Sequence, residues 1–264
     1  MPIKYERVTV TAGLAKQWLG VNHEDNRLPK TSKIPMYARD MLSGRWNSDT
    51  GETIKFDTYG TLIDGQNRLR AVLIASVTDP DVSIDFDVAR GCPPEAMQVI
   101  DTGSARTFAD KLRMAGVTDR MRASGVIRWV LNWDAGNYMG RGGFSPTDSE
   151  LWDRYRTEPE RFDAATKRSS DGVRVGLGTA SVLGTGFYLM HRVGGSDAHT
   201  FFEQLLTGVR LETGDAALTL RNRLLKAKKD RLTRQEQLAL LIRGWNFYRN
   251  DEKTYKLTVV KGEL

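Results

Sequence analysis

β-type runs crowd into the first 104 residues and all but vanish after them, and that break constrains the fold more than any composition figure. Before it, residues 5–10 alternate as a strand, Thr11 is placed to cap a helix running to Leu19, and residues 22–29 form a polar turn. Ile34, Tyr37, Ala38, Met41 and Leu42 fall at helical spacing within 31–43, with Gly44 as the stop. Residues 53–57 and 61–63 read as a hairpin joined by Thr58-Tyr59-Gly60. A helix over 66–76 carries Leu69, Val72, Leu73 and Ala75 on one side, a strand follows over 82–88, and Pro93-Pro94 opens a short helix over 95–100. From 105 onward only helical periods recur, over 106–115, 119–134, 146–156, 179–193, 197–207, 215–229 and 233–249. Ser145-Pro146 and the Thr233/Glu236 pair mark two of the starts, while residues 136–143 and 169–178, rich in Gly and polar residues, read as loops. The expected fold is therefore an α+β domain over 1–104 followed by an all-α domain over 105–264.

With 264 residues, 40% of them hydrophobic, the chain can bury two modest cores. No apolar run approaches the ~20 residues of a membrane helix, and Met1-Pro2-Ile3-Lys4-Tyr5 lacks the apolar stretch of a signal peptide, so a cytoplasmic protein with no membrane partner is expected. The single Cys92 forms no internal disulfide, and His23, His191 and His199 are too scattered for zinc spacing; neither haem nor flavin is expected. Charge is unevenly divided: residues 1–104 hold 12 Lys+Arg against 14 Asp+Glu, net −2, and 105–264 hold 27 against 19, net +8. The densest basic stretch is Arg221, Arg223, Lys226, Lys228, Lys229, Arg231 and Arg234, which suits a nucleic-acid backbone and equally describes a solvated helix face.

Asp64-Gly65-Gln66-Asn67-Arg68-Leu69 sits where a strand passes into a helix. The first turn of a helix has unsatisfied N–H groups and a partial positive charge, glycine allows close approach of a ligand, and a guanidinium at Arg68 can hold two phosphate oxygens. Gln66 and Asn67 could donate to phosphate or read a base; Asp64 could cap the helix, hold Arg70, or bind a metal that accompanies the phosphate. An ordinary turn with Arg68 paired to an acid fits the same residues.

Gly65-Gln66-Asn67-Arg68-Leu69-Arg70-Ala71 resembles the Gly-Glu-Arg-Arg-x-Arg-Ala box of the ParB N-terminal domain, and Asp64-Gly65-Gln66-Asn67-Arg68 is similar to the related Asp-Gly-Gln-His-Arg motif. Both belong to a superfamily that includes ParB, sulfiredoxin and a free-serine kinase. Asn26-Arg27-Leu28-Pro29 resembles the Asn-x-x-x-Pro-Arg entry of ParB, and Gly44-Arg45-Trp46, Ile100-Asp101-Thr102-Gly103 and Arg106-Thr107 resemble ParB-like, nuclease-labelled proteins of actinobacteria and their phages. The resemblance implies a ParB/sulfiredoxin-like domain in which Gly65 and Arg68 hold nucleotide phosphates, with Arg27 beside them. Gln66 and Asn67 stand where sulfiredoxin carries its reactive cysteine and ParB a Glu-Arg pair, so neither peroxiredoxin repair nor a preference for CTP transfers. The acidic base of the serine kinase has candidates in Glu24 and Asp25.

Thr102 and Arg106, in a second Gly-containing turn, could face the same phosphate, or Thr102 could cap the next helix. The first expectation is thus a nucleotide-binding protein of phage or mobile-element type that acts with DNA, takes a nucleoside triphosphate with Mg, and leaves room for a homodimer. The alternatives are a phosphotransferase or nucleotide hydrolase using Asp64 and Glu24, and a metal-dependent nuclease drawing on Asp64, Asp101 and Asp57. Trp129, Trp133, Trp152, Tyr155, Trp245 and Tyr248 read as core, and His191 and His199 as without a catalytic role.

Overall fold

A computed structural model describes residues 2–26, 28–98, 107–138 and 144–259. The fold is mixed α/β, with one four-stranded sheet and 11 α-helices among the described residues. It divides into two compact units, Met1–Ala105 and Arg106–Leu264. None of the described helices is long and apolar enough to cross a membrane.

In the first unit, β1 (Lys4–Thr11) leads directly into α1 (Ala12–Leu19), because the Thr11 hydroxyl accepts from the Leu14 N–H and starts the helix there. Next come α2 (Lys33–Leu42), β2 (Thr53–Asp57), β3 (Leu62–Asp64), α3 (Gln66–Thr78) and β4 (Ser83–Cys92). The strand order is β1-β4-β2-β3, parallel only between β4 and β2. The β2–β3 hairpin turns on Asp57, whose carboxylate accepts from the N–H groups of Tyr59 at 2.9 Å and Thr61 at 2.8 Å. Asp57 thereby holds the hairpin turn through one carboxylate oxygen.

Alternation splits the sheet into two faces. Val10, Ile54, Phe56, Leu62 and Val88 join Trp18, Ile34, Met41, Leu69 and Val72 in one core under the helices. Ile63, Ala89 and Cys92 form a small cluster with Ala96, from the 3-10 turn Pro94–Gln98 that stands in place of the short helix expected after Pro93. Polar cross-strand pairs, Arg7–Asp87 and Thr9–Asp85, join β1 to β4.

Among its described residues the second unit contains no strand. Its helices are α4 (Phe108–Met114), α5 (Arg120–Asp134), α6 (Asp148–Thr157), α7 (Pro159–Arg174), α8 (Ala180–Gly194), α9 (Ser196–Thr207), α10 (Ala216–Leu225) and α11 (Arg234–Arg249). Three begin with reciprocal capping boxes, Thr107/Asp110, Thr147/Glu150 and Thr233/Glu236. The cap of α6 is Thr147, two residues beyond the Ser145 signal.

α8 is the hub, buried at every residue from Val182 to Met190 and packed against α5, α7, α9 and α11. A fully buried Phe or Leu contributes about 1.5–3 kcal/mol, and Phe187, Leu183, Phe162, Phe201, Phe202 and Leu241 supply this here. Close approach requires small residues: a Cβ at Gly172 would lie 2.8 Å from Leu183 Cδ1, and one at Gly186 would lie 2.8 Å from Leu241 Cδ1. This overturns the loop expected from residue 169: Ser169, Ser170 and Gly172 are helical, and Ser169 turns its buried hydroxyl back to the Thr166 carbonyl at 2.7 Å. Helix α10 also stops earlier than its period suggested. Ala227 is buried, Arg231 has φ +53°, and the Leu232 N–H donates to the Ala227 carbonyl, so 226–231 form a closing turn.

Candidate functional site

The strand β3 ends at Asp64, and the chain swings into α3 through Gly65 at φ +104°. A side chain at this φ would be strained, and its Cβ would fall 2.9 Å from Ile54 Cγ1. The Gly65 N–H donates to Asp64 Oδ1 at 2.7 Å, and α3 starts with no side-chain cap. Its first amides are thus left for another acceptor.

Asp64 Oδ2 takes a second and third donor, Lys55 Nζ at 2.9 Å and Arg68 Nη2 at 3.3 Å. The Asp64 and Arg68 side chains are only 11% and 12% exposed, so the pair is screened little by solvent. Arg68 Nη2 also donates to the Thr53 carbonyl at 2.8 Å, which ties the helix to β2. Its other nitrogen, Nη1, is buried and has no partner among the described residues. An orphaned buried donor costs about 1–3 kcal/mol.

Gln66 and Asn67 have structural work. Buried Gln66 donates from Nε2 to Asn26 Oδ1 at 3.1 Å, and Asn26 Nδ2 in turn donates to Asn22 Oδ1 at 3.0 Å. Buried Asn67 accepts from the Lys30 N–H at 3.1 Å. The segment they hold is also pinned to the sheet edge, since the Leu62 N–H donates to the Val21 carbonyl and the His23 N–H to the Leu62 carbonyl. Through these bonds the two amides clamp the loop preceding α2.

Glu24 is exposed in that loop and makes no hydrogen bond or ion pair with the other described residues. Nothing brings it to Asp64, both of whose oxygens already accept from N–H groups, two of them cationic. The same arrangement does not fit a magnesium ion held by Asp64, and no group of three His, Cys, Asp or Glu among the described residues is placed to hold a metal. Arg27, Thr102, Arg106 and Asp101 lie outside the described residues.

The basic stretch divides into two sets. Arg221 donates from Nη1 to the carbonyls of Leu205 and Leu206 at the end of α9, so it caps that helix from outside. Arg223 is paired with Asp230. Arg221 and Arg223 are thus both engaged within their own unit. Lys226, Lys228, Lys229, Arg231 and Arg234 are exposed and carry no ion pair among the described residues. Beside Lys226 lies a cleft of about 430 Å³, lined also by Asn222, Lys256 and the exposed Tyr255.

One cluster escaped the sequence. Tyr188 on α8 hydrogen-bonds Glu158 and accepts from Arg154, while Arg161 Nη1 donates to Glu158 Oε1 at 2.6 Å. Arg161 Nε reaches His191 Nδ1 at 3.2 Å, and the rings of His191 and His199 meet edge to face at 5.1 Å. The two histidines, read as scattered, are neighbours, because each stands three residues from the break between Gly194 and Ser196 where α8 passes to α9. That symmetric spacing about a Gly-Gly corner was the available signal. Burial, then the His199 ring and the Arg161 guanidinium, holds His191 below its ordinary pKa; burial and then Arg168 does the same for His199. Burial raises Tyr188 and Glu158 adds to it. For Glu158 burial pushes upward, but Tyr188, Arg154 and Arg161 together outweigh it and the carboxyl is lowered.

The chain matches no family model, no curated protein and no solved structure.

Proposed function

We propose that the chain is a ParB-like nucleotide-binding protein that acts with DNA, its first unit holding a phosphate at the start of α3 and its second meeting the nucleic-acid backbone. One observation carries the phosphate half: Arg68, in the first turn of a glycine-started, uncapped helix, has Nη1 buried without a partner among the described residues. The resemblance of residues 64–71 to the ParB box points to the same ligand class. The DNA half rests on five exposed cations, Lys226, Lys228, Lys229, Arg231 and Arg234, in a unit whose net charge is positive. A phosphotransferase or nuclease would need a carboxylate at liberty beside the phosphate, and Asp64 is held by Gly65, Lys55 and Arg68.

The test is a panel of nucleoside mono-, di- and triphosphates titrated into the full chain, with and without DNA, comparing wild type with Arg68→Ala and Arg68→Lys. At about 1.5–3 kcal/mol for a charge-assisted bond, Arg68→Ala weakens phosphate binding roughly tenfold or more, and Arg68→Lys restores part of it. Nucleotide binding left unchanged in Arg68→Ala removes the phosphate site. For DNA, replacing Lys226, Lys228 and Lys229 by Ala lowers the slope of log K against log salt by about 0.9 for each lost contact; an unaltered slope removes the surface.

A further inference from the structure

A second pocket lies wholly within the helical unit, far in sequence from the α3 turn. It is formed where α5 runs past the start of α11, with a volume of about 320 Å³. Trp129 and Trp133, one helical turn apart on α5, each pack partly on the core and present the remainder of the ring to this space. Tyr138 closes one side, its ring 4.6 Å from that of Trp133 and tilted by 56°. Two guanidinium groups, Arg128 and Arg234, also line it, and neither makes an ion pair or side-chain hydrogen bond among the described residues.

Arg122, Arg154, Arg156 and Arg192 of the same unit, by contrast, each have an acid partner. Among the described residues no Asp or Glu lines the pocket, and Asp134 and Glu236 are engaged elsewhere, Asp134 with Arg154 and Arg192 and Glu236 in the cap of α11. The polar floor is ordered by its own bonds. Asn132 Nδ2 donates to the Arg128 carbonyl at 2.8 Å, and Asn132 Oδ1 accepts from Asn137 Nδ2 at 2.8 Å. This leaves the Asn137 carbonyl oxygen as an acceptor at the pocket wall.

We propose that this pocket binds a single nucleoside phosphate, its base against Trp129 and Trp133 and its phosphate between Arg128 and Arg234. Indole faces stack on any nucleobase, for about 1–3 kcal/mol per base, and two unpaired guanidinium groups select the anion. Ligand pockets start at roughly 300 Å³, so the space accepts one base with its sugar and not a dinucleotide. The same chemistry belongs to a free nucleotide and to an unstacked residue of single-stranded nucleic acid. This site is separate from the α3 turn and stands whether or not that turn binds phosphate.

The experiment titrates AMP and UMP, the corresponding nucleosides and inorganic phosphate into the full chain by calorimetry. The monophosphates bind saturably, the nucleosides at least fivefold more weakly, and inorganic phosphate more weakly still. Arg234→Gln, an exposed substitution that leaves folding intact, and Arg128→Gln each remove most of the preference for monophosphate over nucleoside. Trp133→Leu weakens both ligands tenfold or more, while Arg68→Ala leaves this binding event in place. A ten-residue oligothymidylate distinguishes the source: displacement of UMP at far lower concentration assigns the pocket to single strands, and failure to displace it assigns it to the free nucleotide. Absence of saturable monophosphate binding overturns the proposal, as does binding that Arg128→Gln and Arg234→Gln both leave unchanged.

Discussion

The backbone of Gly65 rests on the side chain of Ile54, so closely that a Cβ at position 65 would fall 2.9 Å from Cγ1 and 3.2 Å from Cγ2. The glycine of the α3 turn is therefore demanded by sheet packing and by φ +104°, independently of any ligand. Gly65→Ala is expected to cost at least the about 1–3 kcal/mol of an overpacked core, with left-handed strain added. Urea unfolding checks this. Because the clash is with the γ carbons of one residue, Ile54→Ala, which removes both, returns part of the loss in the same chain, giving non-additivity on a double-mutant cycle; strict additivity would contradict the contact.

Asp64 is the second point at which the turn depends on its neighbours. It gathers the Gly65 N–H, Lys55 and Arg68, and Asp64→Asn keeps the shape while removing the charge. The expected loss is about 1.5–3 kcal/mol, the range of charge-assisted hydrogen bonds. Were Asp64 instead a metal ligand or base, the substitution would leave stability nearly untouched and abolish a metal-dependent turnover. Unfolding of the two proteins, with and without magnesium, separates these outcomes.

The His191–His199 pair sets a pH dependence. Both rings are held below their ordinary value of about 6.5, first by burial. Below that pH the unfolded chain takes up protons that the folded chain does not, so stability is complete above it and declines as pH falls toward the lowered folded values. Glu158, also lowered, adds a further decline at more acid pH. The thermal midpoint of the wild type should fall between pH 7 and 5.5, and His191→Gln should flatten that limb while keeping the acid limb of Glu158. An equal decline in the variant would assign the effect to other groups.

The basic stretch yields a contrast between neighbours. Arg221→Ala strips two carbonyls at the end of α9 of their donor, and the expected cost is about 1 kcal/mol or more of stability with little change in the salt dependence of DNA binding. Lys228→Ala and Lys229→Ala, both exposed, should do the reverse: stability within about 0.5 kcal/mol and a shallower salt slope. Thermal unfolding and binding at several salt concentrations, run on the same three variants, check both halves.

Local chemistry was legible in the residues themselves. Thr11 caps α1, the hairpin closes between Asp57 and Thr61, and α3 begins at Gln66, because capping, turn formation and the passage from strand to helix depend on groups a few residues apart. Helix α7 was missed for the opposite reason. Ser169, Ser170 and Gly172 weigh against a helix locally, and only the burial gained against α8 reverses the balance.

The same division runs through the candidate sites. The sequence by itself determined that residues 64–68 form a glycine-containing turn into a helix with an arginine one turn along, since that needs only the pattern of adjacent residues. Tertiary structure alone decided which of those side chains are at liberty. It commits Gln66 and Asn67 to the loop before α2, shares Asp64 between Lys55 and Arg68, and leaves one Arg68 nitrogen buried without a partner among the described residues. It likewise joins His191 to His199 and sets Trp129 and Trp133 beside Arg234. Hydrogen bonds and ion pairs across the fold join residues up to dozens of positions apart, and a residue's availability to a ligand is what those bonds leave over.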